Sequence, residues 1–257
     1  MGEIFTATLN QMLFMFLLIF VGFILQKLKV VPEESAKVFD DTIQALSEEY
    51  CTGLTSIKVG NKKEFFGVTT FATVNHQNSV GMKELTLNPF KTGELDKMTE
   101  RIKELSQKGY SIDIKEGLEE QYIATHEFAH TLIDFSGNYK NYVGMDVKLQ
   151  KKIKREVEAV FDVYKEKVQV LEKDFKNKEM AFLEKSFDFN VELEELNKIQ
   201  ADAVEAKKAY EATRISKYSL KNSDEFMAEA FTDVKLGKNP SEYSKQVVEI
   251  IDKYFKN

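Results

Sequence analysis

Two histidines and a glutamate stand close enough in this chain to do metal chemistry. The stretch Ile123-Ala124-Thr125-His126-Glu127-Phe128-Ala129-His130-Thr131-Leu132-Ile133 holds His-Glu-x-x-His inside a run that reads as a helix. Residues four apart on a helix lie one turn above each other on the same face. His126 and His130 can therefore aim two imidazoles at one metal ion. Glu127 stands beside them, placed to take a proton from water activated by that ion. Thr125, Phe128, Ala129, Leu132 and Ile133 make the other faces small or apolar, which suits a helix buried beside a sheet. Polar groups left unpartnered there would cost roughly several kcal/mol, and a metal ion removes that cost. The chain has only three histidines, and the third, His76, reads as a turn residue.

A hydrolytic zinc site takes three protein ligands and one water. No third histidine follows at short spacing, so a carboxylate must complete the set. The later stretch Lys217 to Phe231 supplies candidates. Asn222 or Ser223 can cap a helix there, and Asp224 and Glu225 suit its electropositive first turn. Glu225 and Glu229 are one turn apart, so one can bind metal while the other hydrogen-bonds a ligand histidine. Glu229 with Asp233 makes a second such pair, and spacing alone leaves both open.

Composition narrows the remaining classes. With 257 residues the chain suits one or two domains and can bury a real core. A formal charge of -6 lacks the basic footprint of a nucleic-acid binder, so no nucleic-acid partner is expected. Cys51 is the sole cysteine, which excludes an intrachain disulfide and a cysteine-based zinc site.

Four segments follow from the patterning. Residues 1–35 read as a transmembrane anchor: Phe5 to Gln26 carries no charge, and a span needs about 20 mostly apolar residues. Lys27 and Lys29 follow the run while Glu3 precedes it, which puts the large domain in the cytoplasm of a single-pass membrane protein. In residues 36–145, Val38, Ile43 and Leu46 mark a short amphipathic helix. Glu64 to Val74 and Lys83 to Pro89 read as strands joined by a turn at 75–79. Leu95, Met98, Ile102 and Leu105 then mark a helix between Glu94 and Lys108, and the motif helix runs from near Leu118 to before Gly137. Residues 146–213 read as a long helical hairpin with a bend near Phe187 to Asn190, and this arm can take a helical partner. Residues 214–257 carry the helix with the third ligand.

The pairing of His126-Glu127-Phe128-Ala129-His130 with Tyr218…Glu225-Phe226-Met227-Ala228-Glu229-Ala230-Phe231 resembles the catalytic domain of anthrax lethal factor and the Pro-Pro endopeptidases. With its Ile215-Ser216-Lys217-Tyr218 lead-in and the strand ending Leu87-Asn88-Pro89, it is also similar to zincin-like domains of phage head-morphogenesis proteins. Residues 1–35 separately resemble the first membrane helix of auxin-efflux-carrier-type transporters. The resemblance implies an α+β zincin-like metallopeptidase domain: a small sheet, the His-Glu-x-x-His helix and a downstream Glu-bearing helix. The helical hairpin would be an insertion and the membrane helix an addition in front. It further implies zinc held by His126, His130 and Glu225, with Glu229 supporting a ligand histidine. Glu127 would be the general base, and Tyr218 would face the oxyanion of a protein or peptide substrate. The long gap between His130 and Glu225 and the anchor both depart from that pattern. The expected function is a zinc-dependent endopeptidase; the alternative is a phage- or mobile-element-derived assembly protein that keeps such a fold without proteolysis.

Overall fold

The computed structural model describes residues 33–50, 56–59, 72–77, 82–133, 147–188 and 190–256. Seven long helices carry the described chain, beside a single turn at Pro89–Thr92: α1 (Glu33–Tyr50), α2 (Leu95–Gln107), α3 (Tyr122–Leu132), α4 (Val147–Ser186), α5 (Leu193–Thr213), α6 (Ser223–Leu236) and α7 (Glu242–Phe255). The strands β1 (Ser56–Val59), β2 (Ala72–Gln77) and β3 (Met82–Leu87) have only four, six and six residues. β3 lies between the others, parallel to β1 and antiparallel to β2 with Ala72 opposite Leu87.

Three expectations are corrected here. The α+β zincin-like class with a membrane helix does not describe this molecule, whose regular structure is overwhelmingly helical. The charge-dense, Pro- and Gly-free stretch after residue 146 builds two long helices, whereas the strands stay short. The single-pass, membrane-anchored localisation is also overturned: no described helix is long and apolar enough to cross a membrane. Even α4, at 40 residues, is too charged. The stretch 5–26 that suggested the anchor lies outside the described residues. His76, finally, belongs to strand β2, in register with Lys83, and not to a turn.

One apolar core joins α1, α3, α6 and α7 with the base of α4. α3 is buried on nearly every face, and so is α6 from Phe226 to Asp233. Their seam is aromatic: Phe128 of α3 and Phe231 of α6 both meet Tyr50 of α1, at ring separations of 6.2 and 5.3 Å. On the opposite side Phe226 stacks on Tyr164 at 4.9 Å and meets Phe161 at 5.2 Å, so α4 braces the ligand-bearing helix. The buried residues of α4 run Gln150, Ile153, Val157, Phe161, Tyr164 and Val168, a stripe at three- and four-residue steps that ends halfway along the helix. Beyond it α4 packs mainly against α5, the next helix in the chain.

Short loops fix both ends of α6. α2 ends in a Schellman turn: Gly109 N–H bonds Ser106 O at 2.8 Å and Tyr110 N–H bonds Leu105 O at 2.8 Å. Gly109 has φ +63°, which an L side chain resists, and a Cβ there would come within 2.8 Å of the Arg214 guanidinium. The carbonyls of Gly109 and Tyr110 then accept from Lys217 N (2.9 Å) and Tyr218 N (3.1 Å). At the other end Lys115 N bonds Leu236 O and Lys238 N bonds Asp113 O, each at 2.8 Å.

Phe226 thus links the hairpin base to the ligand helix. Phe226→Ala is expected to cost about 3–5 kcal/mol, read from urea unfolding. A loss well under 1 kcal/mol would show that α6 does not depend on this brace.

Candidate metal centre

α3 and α6 each present one polar edge to the other. Asn222 caps α6, its side chain accepting from Glu225 N at 2.8 Å, so the first turn starts at Ser223. That start fixes the helical phase and turns Asp224, Glu225 and Glu229 toward the motif histidines.

Three donor atoms converge. His126 Nε2 and His130 Nε2 are 3.3 Å apart, and Glu225 Oε2 lies 3.3 Å from the first and 3.4 Å from the second. His126, His130 and Glu225 form a cluster that can hold a metal ion. The fit is geometric as well as chemical. Donors about 2.0–2.1 Å from a tetrahedral ion stand about 3.3 Å from one another, the edge seen here. Two imidazole lone pairs and a carboxylate pressed this close require a cation or bridging protons between them.

The outward nitrogens have carboxylates of their own. His126 Nδ1 lies 3.0 Å from Glu229 Oε1, and Glu229 is fully buried. The Tyr122 hydroxyl donates to the same Oε1. His130 Nδ1 lies 2.8 Å from Asp224 Oδ1. Glu225 is held from behind as well: Tyr218 Oη and Lys221 Nζ each donate to its Oε1 at 2.8 Å, leaving Oε2 for the histidines. The Tyr218 ring lies 5.8 Å from that of His126.

Electrostatics follow from this packing. Burial alone would depress His126, but hydrogen bonding to Glu225 and Glu229 outweighs it and lifts its pKa to about 9. His130 is raised in the same way, by Asp224 and Glu225 against burial. Burial would raise Glu225, yet the two histidines hold it well below the usual carboxylate range. Burial raises the carboxyl of Glu127, only partly offset by the histidines.

His126, His130 and Glu225 therefore meet at one place. Of the two carboxylate pairs left open, Glu225 is the one at the donor triangle and Glu229 stands behind His126. Asp233 is engaged elsewhere, accepting from Ser241 N (2.9 Å) and Ser244 Oγ (2.6 Å) at the start of α7. Sequence reasoning missed Tyr122, Lys221 and the contact of Asp224. Tyr122 precedes His126 by one helical turn, and Lys221 precedes Glu225 by four residues; those spacings were the available signal. Comparison with family models, curated proteins and solved structures finds no match to this chain.

The raised histidines make a pH prediction with a definite sign. A histidine whose folded pKa exceeds its ordinary 6.5 stabilises the metal-free fold below that pH, and the gain is lost as pH rises toward about 9. The urea midpoint of metal-free protein should fall between pH 6.5 and 9. Metal uptake at pH 7.5 should release protons, seen as a calorimetric enthalpy that varies with the buffer. A buffer-independent enthalpy would contradict the assignment.

Proposed function

We propose that this protein is a zinc-dependent endopeptidase, with His126, His130 and Glu225 as the metal ligands. The observation that carries the reading is the donor triangle with one glutamate, Glu127, beside it on the same helix. A purely structural metal site has no use for that carboxylate. Two imidazoles and one carboxylate in near-tetrahedral spacing suit zinc among the common divalent ions. The motif resemblance to the lethal-factor class supports the same choice of ligands.

Zinc, when bound, supplies Lewis acidity that polarises a carbonyl and acidifies water. The remaining work belongs to the chain. Glu127, half-buried and with its carboxyl raised by burial, accepts a proton from the attacking water. The water oxygen bonds to the scissile carbonyl carbon. As the C–N bond breaks, Glu127 Oε returns the proton to the leaving amine nitrogen. The Tyr218 hydroxyl can turn its hydrogen from Glu225 Oε1 to the oxyanion, a contact strongest in the transition state. Lys221 Nζ remains on Glu225 Oε1 while this happens, so the ligand keeps a hydrogen-bond partner.

Glu127→Gln should retain one metal per chain while turnover of a peptide library drops by about 10²–10⁴-fold. Wild-type turnover in that variant, followed by mass spectrometry, would remove the mechanism. Tyr218→Phe should lower kcat by about 10²–10³-fold with KM little changed; a change confined to KM would assign Tyr218 to substrate binding instead.

A further inference from the structure

We infer that Asp224 is a positioning residue for the metal centre, holding His130 in the tautomer and orientation that leave Nε2 for the ion. The inference rests on the metal-site reading above and adds a residue whose sequence position suggested only a helix-terminus charge.

The two histidines have separate outer partners, and the partners differ. Glu229 is sealed in the core with Tyr122 on the same oxygen. Asp224 has a side chain 42% exposed and sits at the solvent rim. Its Oδ1 meets His130 Nδ1 at 2.8 Å, the length of a charge-assisted hydrogen bond. A carboxylate on Nδ1 fixes the proton there, which directs the Nε2 lone pair at Glu225 Oε2 and His126 Nε2, 3.4 and 3.3 Å away. The capped start of α6 makes this possible. Consecutive residues on a helix diverge by about 100°, so Asp224 and Glu225 reach the same ring from different sides, one at Nδ1 and one at Nε2.

The rival role is electrostatic: any acidic residue in the first turn steadies a helix N-terminus. Two substitutions separate the roles. Asp224→Asn and Asp224→Ala both remove the charge, but only Asn keeps an oxygen that can accept from Nδ1–H. Zinc affinity of the full chain is measured by competition with a chromogenic chelator. The ¹⁵N signals of the histidines are followed in the zinc-loaded protein, where three residues keep the spectrum readable.

The expected result is a dissociation constant raised about 10–100-fold in the Ala variant, with loss of the exchange-protected Nδ1–H signal of His130. The Asn variant should recover much of the affinity and keep that signal. Equal losses in Ala and Asn, or wild-type affinity in Ala, would overturn the positioning role. If Ala fails to fold, Asp224→Ser takes its place, since serine is favoured at helix starts and is too short to reach His130. Wild-type protein that takes up no zinc would overturn the metal reading itself, a result distinct from zinc binding that ignores Asp224.

Discussion

Three electron-rich atoms held within 3.4 Å of one another in a largely buried place are the constraint on which the rest of the molecule depends. Imidazole and carboxylate lone pairs repel at that range unless positive charge lies among them. The chain nevertheless brings them together and surrounds them with further carboxylates. Glu229 and Asp224 stand behind the histidines, and Lys221 and Tyr218 stand behind Glu225. Each group is thus oriented from its far side, leaving the near side for a cation.

Such an arrangement needs two helices fixed to fractions of an ångström, and the core supplies that stiffness. The Tyr50, Phe128 and Phe231 rings lock α3 to α6 through α1. Tyr164 reaches the site by another route. Its ring stacks on Phe226, while its hydroxyl bonds Ser219 Oγ at 2.7 Å and accepts from Ile215 N at 3.1 Å. One side chain of the long arm therefore supports both the ligand helix and the turn that carries Tyr218. The Schellman turn at Gly109 adds the backbone bonds that set the height of Tyr218. These interactions are individually worth about 1 kcal/mol or a few, and together they keep a repulsive cluster in place.

Much of the site was legible in the sequence because helical periodicity is local. His126 and His130 must share a face if they share a helix, and Asn222 with two acids after it announces a helix start. The strands were harder to read. Of the expected strand-turn-strand, Ala72–Gln77 and Met82–Leu87 do pair antiparallel, but the pairing runs on into the stretch expected as a turn and carries His76 into β2. β1 is absent from the sequence reading, since four residues of alternating sequence carry little signal. The α+β expectation gave those short strands too much weight against the helices after residue 146. The apolar run at 5–26 suggests an anchor by its composition alone and lies outside the described residues, among which no helix is long and apolar enough to cross a membrane.

The sequence by itself determined that two histidines would lie along one helical edge with a glutamate beside them, and that an acidic helix start would follow about a hundred residues later. Local backbone geometry enforces both. Only the tertiary structure decided that Glu225 and not Glu229 faces the donor triangle, that Asp233 serves α7, and that Asp224 meets His130. Those outcomes depend on the rotation and height of α6 against α3. Rotation and height are set by packing between residues far apart in the chain, Phe226 on Tyr164 and Phe231 on Tyr50, which no local spacing encodes.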